Sequence, residues 1–233
     1  MAGPAHPPPA VLLDALGTLV ELDDPVGGLR RSLAAHGVDV AAPDVAAALA
    51  LEIDHYRAEH HAAADRPALE ALRLDCARVF GAALGDAVAG MADAELRDIL
   101  LDGLRFRAFE DAAPALAALR ARGARLAVVS NWDVSLHEVL ELTGLAGSFD
   151  VVLTSAQEGT QKPAPGLFLR ALERLGGIAP VDAVHVGDDL VADVAGARAA
   201  GIEPLLLDRD CAARGVGGVR VIRTLAEVPG AGR

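Results

Sequence analysis

A chain of 233 residues, 52% of them hydrophobic, is long enough for one large domain or for a domain carrying a sizeable insert. Its formal charge of -12, with 33 acidic residues against 21 basic ones and no basic block, repels nucleic acid and anionic membrane surface. No apolar run approaches the roughly 20 residues needed to span a bilayer, and the Pro-rich, uncharged start Met1–Ala10 reads as a loose tail without the pattern of a secretory signal.

Ala10–Leu13 is apolar, is expected as a buried strand, and ends on the carboxylate of Asp14. Gly17 follows where a turn can take positive φ, and Thr18 adds a hydroxyl. In isolation an Asp at this point equally well ends a strand and opens a turn. Asp24-Pro25 marks a helix start, with Pro in the first position.

From about 24 to 105 the pattern is helix after helix. Val45, Leu49, Ile53 and Tyr56 form one stripe. Leu69, Leu72, Cys76, Val79, Phe80 and Ala83 form a second, and Leu96, Ile99, Leu100 and Leu104 a third. Gly37 and Gly85 are candidate stops, and the short loops suit an antiparallel bundle. Arg30, Arg31, His55, His60 and His61 are expected on solvated helix faces, with a role toward substrate as the alternative. Cys76 and Cys211 suit no paired or metal-binding spacing, so each is expected as a buried thiol in a cytoplasmic protein.

After about 110 helices and strands alternate. Ala115–Arg122, Val134–Leu145, Pro165–Leu175 and Val191–Ala200 are expected helices. Leu126–Val129, Val151–Thr154, Ala183–Val186, Pro204–Leu207 and Val219–Ile222 are expected strands. The alternation predicts an α/β fold with a doubly wound parallel sheet, interrupted after its first strand by the helical block. The division expected is a core of residues 1–22 and 106–233 with a helical insert of residues 23–105.

Candidate chemistry falls at four points at or just beyond strand ends: Asp14 with Leu16-Gly17-Thr18, Ser130-Asn131, Lys162-Pro163, and Gly187-Asp188-Asp189 with Asp193. A doubly wound sheet gathers such ends on one edge. Lys162 is the only lysine in a chain that otherwise uses Arg, and Asn131 is the only asparagine. A compact ammonium suits a tight pocket of carboxylate and phosphate oxygens better than a planar guanidinium does. Together these groups can move a phosphoryl group: a carboxylate to attack phosphorus, and a hydroxyl, loop N–H groups and a lysine to hold its oxygens. The crowded carboxylates call for a hard divalent cation. Ser130 could instead be a simple helix cap. Trp132, the single tryptophan, serves either in packing or at the ligand.

These motifs resemble the haloacid dehalogenase (HAD) superfamily, hydrolases with an aspartate nucleophile, from about Val11 to Thr224. The inserted helices resemble the C1 cap of its subfamily I. The resemblance implies Asp14 as nucleophile, with Ser130 and Lys162 as catalytic residues. It implies substrate binding by Gly17, Thr18, Ser130, Asn131 and Lys162. Mg²⁺ would be held by Asp14, the Leu16 carbonyl and Asp188, with Asp193 nearby. It points to a phosphatase acting on a small phosphorylated metabolite.

Where phosphatases of this family have a second aspartate as general acid and base, this chain has Leu16. Dehalogenases of the family also lack that aspartate, having Asp-Ala-Tyr-Gly-Thr where this chain has Asp-Ala-Leu-Gly-Thr. A carbon–halogen hydrolase and a catalytically weak metal- or ligand-binding protein are therefore the alternatives. The partner expected is a small anionic molecule, neither nucleic acid nor membrane, and nothing encodes the oligomeric state.

Overall fold

The computed structural model describes residues 9–210 and 218–229; the start of the chain through Pro8, and Cys211, lie outside the described residues. Six strands form one sheet in the order β5-β4-β1-β6-β7-β8. They are β1 (Ala10–Leu13), β4 (Arg125–Ser130), β5 (Val151–Thr154), β6 (Ala183–Gly187), β7 (Glu203–Leu207) and β8 (Arg220–Ile222). All five pairings are parallel, so successive strands must be joined by crossovers. β1 is wholly buried at the centre, with Leu13 opposite Val128 on one side and Val186 on the other. The expected α/β architecture with a doubly wound parallel sheet is the architecture observed.

One face of the sheet is covered by α8 (Gly166–Arg174), whose Leu167, Phe168, Ala171 and Leu172 pack with Leu12, Ala127, Val129 and Leu153. Burying such side chains contributes roughly 1.5–3 kcal/mol each before conformational entropy is counted. α5 (Ala112–Ala121) contacts β4 and buries Leu116 and Leu119.

The chain divides into two compact units: one of residues 1–21, 108–132 and 136–233, the other of residues 22–107 and 133–135. The second is helical and comprises α1 (Pro25–Ala35), α2 (Ala42–Glu59), α3 (Arg66–Leu84) and α4 (Asp93–Gly103). Asp24 caps α1 by accepting from Gly27 N, with Pro25 following it. Leu29, Leu33, Val45, Leu69, Phe80, Leu96 and Ile99 form the unit's core. Among the expected stripe residues, Ala83 is exposed and Leu84 takes the buried position.

Four local expectations differ from the structure. First, β2 (Val20–Leu22) and β3 (Phe106–Ala108) pair in a separate two-stranded sheet; three-residue strands carry too little periodicity to be read. Second, α6 is shorter than 134–145, covering Leu136–Leu142. Its first expected turn is lost because Val134 N donates to Ala63 O and Ser135 N to Asp133 Oδ1, while Gly144, at φ +74°, closes the other end.

Third, the expected helix 191–200 opens as a wide π turn, Leu190–Ala195, before α9 (Gly196–Ala199). Asp189 O accepts from both Asp193 N and Val194 N, and Asp189 Oδ1 caps the turn through Val191 N and Ala192 N. Fourth, His60 is only 5% exposed rather than on a solvated face. Its ring stacks on Tyr56, and its Nδ1 meets the carbonyls of Arg57 and Tyr56; burial lowers its pKa. His61 is exposed and His55 half-buried. Arg31 pairs with Asp24 at 2.9 Å on an exposed surface, and Arg30 donates to Val40 O. Cys76 is a buried free thiol.

Candidate active site

Asp14 stands one residue beyond β1, and its N–H continues the ladder by donating to Val186 O at 2.9 Å. The carboxylate therefore leaves the sheet at the carboxyl edge of its central strand, where neighbouring strand ends can reach it. Ser130, the last residue of β4, donates its hydroxyl to Asp14 Oδ1 at 2.8 Å. Lys162 Nζ donates to the same oxygen at 2.6 Å and to Asp193 Oδ1 at 2.6 Å. The lysine is 3% exposed, so its charge is compensated by these two carboxylates rather than by water.

The Asn131 side chain, expected beside a substrate, is engaged at both ends by Lys162. Its Nδ2 donates to Lys162 O at 2.9 Å, and its Oδ1 accepts from Lys162 N at 2.8 Å. Both ends of the amide thus grip the lysine's main chain. Gly17 and Thr18 also differ in detail. Gly17 N donates to Val20 O and Thr18 N to Ala15 O, so these two amides close the loop rather than face an anion. The Thr18 hydroxyl is buried and has no hydrogen-bond partner among the described residues.

The last cluster is built on bare backbone. Gly17 has φ +77°, and a Cβ there would lie 2.3 Å from Asp188 Oδ2. A Cβ on Gly187 would lie 2.1 Å from Asp193 Cγ. Each glycine thus makes room for one carboxylate. Asp193 Oδ1 accepts from Lys162 and lies 2.9 Å from His185 Nε2, and its Oδ2 accepts from Asp189 N at 3.1 Å. His185 is wholly buried in β6, edge-on to Phe168.

Carboxylate oxygens of Asp14, Asp188 and Asp193 lie within 4.8 Å of one another. Burial, reinforced by the carboxylates of Asp14 and Asp193, pushes Asp188 up to about 7. Burial also raises Asp14, and Asp193 beside it adds to this against the pull of Lys162. Asp193 resists its burial and is held well below the usual range by Lys162 and His185. Lys162 is raised in turn: its burial is outweighed by Asp14 and Asp193. Three carboxylates face one ammonium, leaving an excess of negative charge that a hard divalent cation would match. Leu16, in the loop, is 41% exposed.

A family model described as haloacid dehalogenase-like hydrolase matches residues 8–201. The chain belongs to the haloacid dehalogenase-like hydrolases. Its relatives in this family include haloacid dehalogenase-like hydrolase domain-containing protein 3 of Mus musculus. That protein is 34% identical over 204 residues, which span 83% of this chain and 79% of the relative. A phosphoserine phosphatase of Thermus thermophilus is 39% identical over 137 residues, 57% of this chain and 54% of that one. Among solved structures, a HAD phosphatase from Thermococcus onnurineus is similar at a TM-score of 0.62 and 25% identity, covering 94% of each chain.

For this HAD-like chain the sequence singled out neither His185, nor the space that Gly187 leaves for Asp193, nor the capping role of Asp189. His185 carried a readable signal, a lone polar residue inside the apolar strand Ala183-Val184-His185-Val186. Gly187 was named with its neighbours, but its close approach to Asp193 was not readable, because that side chain comes from a turn whose shape the sequence does not announce. Trp132 is buried, and its backbone N–H donates to Ser155 Oγ.

Proposed function

We propose that this hydrolase is a magnesium-dependent phosphatase of a small phosphorylated metabolite, with Asp14 attacking phosphorus. The observation that carries the reading is the Asp14 carboxylate itself. Its Oδ1 is fixed by Ser130 and Lys162, while Asp188 and Asp193 crowd it with acid that a divalent cation would offset. An aspartate held in one orientation by two donors is a positioned nucleophile, and positioning supplies much of the barrier reduction in phosphoryl transfer. In this reading Lys162, Ser130 and the Thr18 hydroxyl hold the transferring oxygens. Asn131 and His185 act one step back, the first on the Lys162 main chain and the second on Asp193. Asp14, Asp188 and the Leu16 carbonyl would hold Mg²⁺, with Asp193 alongside, and the ion would supply charge that keeps the carboxylates ionised and neutralises phosphoryl oxygens. The helical unit is read as the cap that the resemblance implies, and the cytoplasm as the compartment. No helix among the described residues is long and apolar enough to cross a membrane.

Leu16 cannot shuttle a proton, so the leaving group must depart with little help. p-Nitrophenyl phosphate should turn over much faster than a sugar phosphate. Leu16→Asp, at a position exposed enough to accept a charge, should raise sugar phosphate turnover by about 10²–10⁴-fold. The deciding experiment is a metal-dependent screen of phosphate esters and 2-haloacids with wild type beside Asp14→Asn. Mg²⁺-dependent phosphate release lost in the variant supports the reading; halide release without metal would replace it with the dehalogenase alternative, which the apolar Leu16 favours. Metal binding with no turnover on any ester would leave a binding protein.

A further inference from the structure

Arg209, two residues beyond β7, is anchored on three sides. Its Nη1 and Nη2 donate to the two oxygens of Asp111 at 3.1 and 3.0 Å. Its guanidinium carbon lies 3.8 Å from the centre of the Phe109 ring. Its Nη2 also donates to Thr18 O at 2.8 Å, and its Nε to Gly17 O at 3.4 Å. Asp111 is held in turn by Leu225 N at 2.8 Å, and Phe109 N donates to Leu19 O at 3.0 Å. The Arg209 and Asp111 side chains are only 20% and 21% exposed, so this is not a loose surface pair.

The two carbonyls that Arg209 takes belong to consecutive peptide planes, three and four residues beyond the candidate nucleophile Asp14. The opposite edges of the same planes are also tied, because Thr18 N and Leu19 N both donate to Ala15 O. Fixing both edges of both planes leaves the Thr18 side chain one direction to leave the backbone. It also holds the Gly17 Cα against Asp188. Only a planar fork can meet a bidentate carboxylate, an aromatic face and two carbonyls at once; an ammonium cannot.

We infer that Arg209 is a positioning residue for the phosphoryl-transfer reaction, orienting the Gly17–Thr18 peptide planes so that the Thr18 hydroxyl and Asp188 stand correctly beside Asp14. The inference rests on the reading of Asp14 as nucleophile. The competing explanation is a staple that ties Asp111, Arg209 and the Thr224–Leu225 turn together with no kinetic consequence.

The test compares wild type, Arg209→Lys, Arg209→Gln and Thr224→Ala, all at a temperature well below every melting point. Thr224→Ala removes the cap on Ala226 N and a hydrogen bond to Asp111, and so loosens the same staple while leaving Arg209 and its contacts to Gly17 and Thr18 in place. kcat and KM for p-nitrophenyl phosphate are measured beside hydrogen exchange of a peptide covering residues 14–22. Both Arg209 variants should lose kcat on the order of tenfold to a hundredfold with KM little changed, and should lose protection at the Thr18 and Leu19 amides. Thr224→Ala should melt earlier and keep wild-type kcat. Wild-type kcat in both Arg209 variants would reduce Arg209 to the staple and overturn the inference. If wild type hydrolyses no phosphate ester, the phosphatase reading fails and the inference falls with it; unchanged protection in Arg209→Lys beside an active wild type overturns the positioning role alone.

Discussion

Gly17→Ala separates two costs that a glycine in this loop can conceal. The first is conformational: at φ +77° an L-residue costs about 1–2 kcal/mol. The second is steric: the new Cβ would lie 2.3 Å from Asp188 Oδ2, whereas ordinary contact begins near 3.4 Å. The carboxylate is the free end of a side chain, so it would yield by roughly 1 Å, and a displacement of that size at a reacting centre can cost about 10²-fold in rate. Gly144 provides the comparison, because it has φ +74° and a methyl carbon added there would meet nothing within 4 Å. Gly144→Ala should therefore suffer the backbone cost alone. Thermal melts of both variants should fall by a similar few degrees, roughly 2–4 °C per kcal/mol for a domain of this size. Initial rates on p-nitrophenyl phosphate at saturating Mg²⁺ should fall about 10²-fold in Gly17→Ala and stay at the wild-type level in Gly144→Ala. Wild-type turnover by Gly17→Ala would show that Asp188 does not need the bare Cα and would refute the role given to Gly17.

Asp14→Asn should abolish turnover without lowering the melting temperature, since it removes one of three crowded carboxylates; a large fall in melting temperature would contradict that electrostatic picture. Asn131→Ala leaves Lys162 N and O without their side-chain partners, so it should destabilise by about 1–3 kcal/mol and reduce kcat, read by urea unfolding and steady-state rates. Lys162→Met strands Asp14 and Asp193 with no cation between them and should destabilise by about 3–5 kcal/mol at neutral pH, less if Mg²⁺ is added. Burial raises the pKa of Glu52 in α2 above 4.5, against a hydrogen bond from Cys76 and the nearby His55. A carboxyl group raised by folding adds stability below its unfolded pKa and loses it as pH climbs through the folded value. Wild-type urea midpoints should thus decline as pH rises from about 4.5, and Glu52→Gln should flatten that decline; parallel profiles would refute the assignment.

The amino-acid sequence by itself determined the strands of the six-stranded sheet and the order in which reactive groups follow them. An apolar run is local, and so is the polar residue that terminates it. Asp14, Ser130 and Asp188 were legible for that reason, and parallel pairing then brings them to one edge; Lys162 stood out as the only lysine, and Asp193 through the resemblance. Tertiary structure decided what each side chain touches. Nothing in the spacing of Asn131 and Lys162 announces that an amide will clamp a main chain 31 residues away. Nor does Arg209 signal that it reaches back 191 residues to Thr18, or the run 190–195 that it will open as a π turn aiming Asp193 at Lys162 and His185. Periodicity reports which face of an element is apolar. The partner a polar group finds depends on distances set only when the elements pack, and on gaps such as those at Gly17 and Gly187 that exist only between folded segments.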